Sequence, residues 1–160
     1  SSNFFEDFDM VYSNLGELCN YFEIRKDYKT IVNIQRELVT SIDSLIHLYP
    51  NLIKMAIEGS GNLSWRALFT YDFFAAESAA RHALALDPSQ TWVNTNLALA
   101  LLFQHKNEEA EKIYRGLKSQ HYEAKSRKKY RDVFLEDLET LHAAGVASEQ
   151  DIKQVKVWLE

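Results

Sequence analysis

Proline, glycine and cysteine are scarce: two, five and one in 160 residues. So few turn-formers exclude a turn-rich β architecture and favour long helices. The single cysteine, Cys19, excludes an internal disulfide and any multi-cysteine zinc or iron–sulfur site. Leu18, Tyr21 and Phe22 flank it, so it reads as a buried thiol on an apolar helix face. A reducing, cytoplasmic compartment is the expectation. No run of about 20 apolar residues is present, so no membrane-spanning helix is expected. The start, SSNFFEDFDM, lacks the basic residues and apolar stretch of a secretory signal. It also lacks Met, so a processed or excised chain is expected. The formal net charge of -5 disfavours a nucleic-acid partner.

Catalytic signatures are missing as well. The histidines (His47, His82, His105, His121, His142) are scattered, with no i, i+4 pair and no Cys/His cluster, so no metal is expected. There is no G-x-S-x-G, no glycine-rich phosphate loop and no H-E-x-x-H. Glu108-Glu109 fits the exposed first turn of a helix, where negative charge is favoured. The expectation is a chain that is not an enzyme and needs no cofactor.

What the sequence does contain is an internal repeat. Leu63 and Leu97, Ser64 and Ala98, Leu68 and Leu102, Phe69 and Phe103, Ala76 and Ala110, and Ala80 and Tyr114 are all 34 residues apart. Asn62 and Asn96 extend the match. The pattern suits two antiparallel helices joined by a short turn. Small residues (Ser64, Ala76, Ala98, Ala110) belong where helices cross closely. Leu63, Leu68, Leu84, Leu97, Leu101 and Leu117 recur at helical spacing and would fill the seams. Pro88 ends the second helix of the first unit, because proline disfavours helix in the residue before it.

These marks resemble the tetratricopeptide repeat family. They are Asn62-Leu63-Ser64, Ala76 and Ala83-Leu84-Ala85-Leu86-Asp87-Pro88, then Asn96-Leu97-Ala98, Asn107-Glu108-Glu109-Ala110, Tyr114 and Leu117. The second unit lacks the closing proline, and Tyr71-Asp72 and His105-Lys106 stand where a turn glycine is usual. Residues 9–159 also resemble the C-terminal part of bacterial, especially Bacteroidetes-like, proteins of this family, a likeness that names no activity. The resemblance implies an all-α fold, a right-handed α-α superhelix of tandem helical hairpins, within a single domain. Its parts are a degenerate hairpin at 9–50, repeats at 57–90 and 91–122, and capping helices at 123–160.

The outer segments are less regular. Asn14-Leu15-Gly16 repeats the Asn-Leu-small signature, and Lys26-Asp27-Tyr28 reads as a hairpin turn. A long helix is expected over 28–49, with Ile31, Ile34, Leu38, Ile42, Leu45 and Leu48 as its apolar stripe. Pro50 opens a further helix that runs on past Trp65, with a kink near Gly59. Lys125 to Leu141 reads as one helix, closed by Gly145 in a left-handed C-cap. Ser148-Glu149-Gln150-Asp151 opens the last helix.

In such a repeat the first helices of successive hairpins line a groove. The resemblance places Asn62, Trp65 and Phe69, and then Asn96, Leu99 and Phe103, on that face. In the family an asparagine before the Leu-small pair bonds the backbone of an extended ligand. Asn62, Asn96 and Asn14 match it here. Aromatic and apolar residues replace the basic residues that grip a terminal carboxylate, so a helix or apolar peptide is the expected ligand. The chain's own segment Phe4 to Phe22 is an alternative occupant. The expected role is a scaffold or adaptor whose partner is a protein or peptide, with no membrane contact; the alternatives are a self-associating module, as in a homodimer, or a non-catalytic regulatory part of a larger enzyme or signalling protein. The basic run Lys125 to Arg131 is flanked by Glu123, Asp132, Glu136 and Asp137 and reads as a solvated mixed-charge face.

Overall fold

Helix boundaries follow capping chemistry. A computed structural model describes the backbone of residues 2–160 and the side chains of residues 4–160. Among these are eight α-helices and no named strand. They are α1 (Ser2–Ile24), α2 (Tyr28–Leu45), α3 (Ile53–Leu68), α4 (Phe73–Leu86), α5 (Val93–Phe103), α6 (Asn107–Leu117), α7 (Tyr130–Ala143) and α8 (Glu149–Leu159). Asp27 and Asp72 accept from the amides of Thr30 and Ala75, which starts α2 and α4. Ser148 and Asp151 form the expected capping box on α8.

One turn geometry closes every hairpin. Lys26, Tyr71 and His105 have φ of 57°, 59° and 59°, and Gly145 has φ of 79°. Each is followed by a residue whose amide reaches back five positions: Asp27 to Phe22, Asp72 to Ala67, Lys106 to Leu101 and Val146 to Leu141. The left-handed residues themselves donate three positions back, to Glu23, Leu68, Leu102 and His142. This is the Schellman closure, which satisfies the last carbonyls of a helix. Three of the four use a residue with a side chain where glycine would be less strained. The chain is therefore four hairpins, α1–α2 to α7–α8, and consecutive helices pack on one another.

This shared turn fixes the internal register. Tyr71 and His105 are 34 residues apart, as the repeat predicts, whereas Lys26 and Tyr71 are 45 apart. The first hairpin therefore aligns Gly16 with Gly61 and Cys19 with Ser64. That is one helical turn away from the match through Asn14-Leu15-Gly16, which the turn geometry corrects. Residue composition hid this, because α1 is the outermost helix and packs on one side only.

The crossing residues are as small as close approach demands. Ser64, Ala76, Ala98 and Ala110 are fully buried. Leu63, Leu68, Leu97 and Leu101 are buried beside them, and Leu84 and Leu117 are partly so. One apolar cluster runs from α2 to α8, and a second joins Ile42, Leu52, Met55 and Ala56 to Phe5, Phe8 and Tyr12 of α1.

Two expectations change. The helix expected over 28–49 stops at Leu45, and a 3-10 turn at Pro50–Leu52 leads into α3. As expected, α3 then runs through Gly59 and Gly61 and past Trp65 as one helix. The helix expected from Lys125 begins only at Tyr130. Residues 123–129 hold four cations and no large apolar side chain, so no face could be buried to stabilise helix there. That segment pairs its backbone with residues 120–122 instead: Tyr122 donates to Lys128, and Tyr130 to Gln120.

Candidate functional site

Asn96 and its surroundings show how two neighbouring hairpins close. The Asn96 amide donates to the Gly61 carbonyl at 3.1 Å and to Ser64 Oγ at 2.9 Å. Ser64 Oγ in turn donates to the same carbonyl at 2.6 Å. Trp92 lies over Gly61 so closely that a Cβ there would stand 2.2 Å from its Cη2. Its indole N–H donates to Gln90 Oε1 at 2.9 Å. Asn96, Leu99 and Phe103 are all buried, and Phe103 packs on Phe73 with centroids 5.0 Å apart. These three residues sit in the core in this conformation, not on an open groove. Small residues on α3 let α5 approach until its first face is covered.

The other three candidate positions remain accessible. Trp65 and Phe69 are half-buried and meet edge to face at 5.1 Å. Phe69 stacks on Tyr28 of the chain's own α2 at 4.3 Å and 11°, so this part of the expected groove is partly filled from within. Asn62 is exposed. It lines a cleft of about 280 Å³ between α1, α2 and α3, with Tyr12, Gly16, Cys19, Gln35, Glu58 and Arg66 among the walls.

This cleft has the chemistry of a recognition site. Gln35 is buried, and its Oε1 has no hydrogen-bond partner. An amide left unpaired at such a position destabilises unless something meets it. Arg66 Nη2 donates to Glu23 at 3.1 Å, which ties α3 to α1 at one wall. Burial pushes the Cys19 thiol up, Arg66 opposes this, and Glu23 adds to it. A thiol held protonated is a poor nucleophile. A Cβ on Gly16 would touch nothing within 4 Å, so this glycine leaves space in the cleft.

Of these walls only Asn62 was among the expected site residues. Gln35 carried a signal in the sequence: it is a polar residue in register with Ile31, Leu38 and Ile42 on the buried face of α2. Asn14 is exposed and does not line the cleft. The basic run is drawn into local contacts, Lys128 with Glu136 and Arg131 with the Leu159 carbonyl.

Among the described residues no group of three or more His, Cys, Asp or Glu is placed to hold a metal ion. No helix among them is long and apolar enough to cross a membrane. No family model, curated protein or solved structure matches the chain.

Proposed function

We propose that the chain is a non-catalytic, tetratricopeptide-type interaction module that holds an extended segment of a partner protein in the α1–α2–α3 cleft. The observation that carries this reading is the unpartnered buried Oε1 of Gln35, a residue that lines a cleft with Asn20 and Asn62. A peptide backbone brings one donor and one acceptor per residue, and each of these amides offers both. The likeness of Asn62 to the family's ligand-binding asparagine adds support. So do the 34-residue repeat and the recurring hairpin turn.

The test is a peptide display selection on the wild-type chain, with affinities then measured on Gly16→Phe and Asn62→Ala. Gly16→Phe places a ring in open space and is expected to leave the helical circular dichroism unchanged. Selected peptides are expected to lose about tenfold or more on it, the equivalent of a lost hydrogen bond or burial contact. Equal affinity for Gly16→Phe and wild type would exclude the cleft.

A second reading, self-association, is favoured by the outer face of α1. Val11, Leu18 and Tyr21 are 48 %, 41 % and 49 % exposed there. Asp7 and Arg25 end the same stripe, so two copies of α1 laid antiparallel would match acid to base at both ends. Sedimentation of wild type should then show twice the 18.6 kDa chain mass at high concentration. Asp7→Arg and Arg25→Asp should each be monomeric alone and pair when mixed. A wild type that stays monomeric from micromolar to millimolar concentration excludes this reading.

A further inference from the structure

Helix α3 packs on α5, whereas the equivalent positions of α1 and α3 face each other across a cleft. The shared turns make Gly16 the counterpart of Gly61, and Cys19 that of Ser64. The 34-residue repeat makes Asn62 the counterpart of Asn96, and Glu58 that of Trp92. At the α3–α5 crossing the glycine hollow is plugged by the Trp92 indole and sealed by Asn96. Between α1 and α3 the equivalent glycine, the exposed Gly16, faces a cleft of about 280 Å³, and Glu58, exposed to solvent, stands at the position equivalent to the tryptophan.

We infer that the α1–α2–α3 cleft takes an aromatic side chain of the partner, an indole above all, in the place that Trp92 occupies against Gly61. This rests on the interaction-module reading and names what that module recognises. Three features of the cleft suit an indole. Gly16 presents bare backbone, on which a flat ring can lie as Trp92 lies on Gly61. Tyr12, Leu15 and Leu38 supply apolar and aromatic walls. Gln35 lines the cleft and its buried Oε1 has no donor; a turn of this flexible side chain brings the acceptor to an indole N–H, a donor that accepts nothing. At the plugged crossing the corresponding need is met by Gln90 Oε1, which receives the Trp92 N–H at 2.9 Å. The position equivalent to Gln35 in the next hairpin is Ala80, which is fully buried and has no polar group to satisfy. The polar residue on α2 therefore occurs beside the cleft, where the internal tryptophan is missing.

The probe is N-acetyl-tryptophanamide, titrated into the full chain and followed by backbone amide shifts in NMR. N-acetyl-leucinamide and the 1-methyl-indole analogue serve as controls. The expected result is saturable shifts at Gly16, Cys19, Gln35 and Asn62, with the tryptophan amide about tenfold or more tighter than either control. The variant Glu58→Trp supplies the plug from within the chain. It is expected to raise the melting temperature and to abolish binding of the probe. Leucine and tryptophan amides of equal affinity overturn the inference, as does a Glu58→Trp chain that binds the probe like wild type. If peptides without an aromatic residue bind wild type and are blocked by Gly16→Phe, the module reading stands and the aromatic inference falls. If neither peptides nor probe bind, both fall.

Discussion

Gly61→Val is expected to lower the stability of the chain by about 3 kcal/mol. The added Cβ alone would lie 2.2 Å from Trp92 Cη2 and 3.0 Å from two further ring atoms. Such an overlap forces one partner to move, and neither moves freely. Gly61 is inside α3, and its carbonyl receives both Ser64 Oγ and the Asn96 amide. Trp92 is tethered through Nε1 to Gln90. Overpacking a helix crossing typically costs about 1–3 kcal/mol, and a displaced Asn96 amide adds roughly 1 kcal/mol or more. Gly61→Ala is the milder case, since alanine regains about 1 kcal/mol of helix propensity. Urea unfolding of the two variants checks the order. Trp92→Ala in the Gly61→Val background separates the clash from the propensity: the clash predicts that the double variant recovers part of the loss. If valine leaves the midpoint where it was, the indole is not the plug described here.

Much of this architecture was legible because it rests on local periodicity. Ser64, Ala76, Ala98 and Ala110 are small for the reason inferred from sequence: each is fully buried at a crossing. The hairpin turns were placed correctly at Lys26, Tyr71 and His105, although their left-handed backbone is written in none of those residue types. The candidate site was legible only in part. Asn62 and Asn96 occupy the same repeat position, and sequence cannot tell them apart. Their difference is set by what precedes each one in space. For Asn96 that is α3, which brings the Ser64 hydroxyl and the Gly61 carbonyl within hydrogen-bond distance. For Asn62 it is α1, where the thiol of Cys19 replaces the hydroxyl and the cleft stays open. A repeat pattern encodes the positions that meet. The separation at which they meet depends on neighbours far along the chain, such as Glu58 in place of a tryptophan. The missed loop at 123–129 has the same origin, because its path is fixed by pairing with residues 120–122 rather than by its own propensity.

Acid is expected to loosen the joint between the second and third hairpins, and Glu77 is the group responsible. Glu77 on α4 is buried. It accepts from Arg81 at 2.8 Å, from Lys106 at 2.7 Å and from Gln104 at 2.8 Å, the last two on the α5–α6 turn. Arg81 reaches on to Glu109 of α6 at 2.8 Å. Burial alone would raise the Glu77 carboxyl, but the hydrogen bonds from Lys106, Arg81 and Gln104 outweigh it and hold it at about 2, against an ordinary 4.5. The unfolded chain therefore binds this proton more readily than the folded one. The contribution to stability is present above pH 4.5 and is lost as pH falls toward 2. Its size is on the order of 2 kcal/mol once solvent access to Lys106 and Arg81 is allowed for. Asp137 on α7 has the opposite sign. Burial and Glu136 push its carboxyl up to about 7, with Lys128 opposing. The folded chain holds that proton, so its stabilising share is complete below an ordinary 3.8 and is lost as pH rises through about 7. The two opposing slopes cancel between 3.8 and 4.5, so the two groups together place maximal stability at about pH 4. Urea midpoints taken across pH should fall on both sides of that value. Glu77→Gln should lower the maximum and flatten the acid limb, and Asp137→Asn should flatten the other. A Glu77→Gln chain with the acid limb of wild type would show that the three hydrogen bonds at Glu77 do not control the joint.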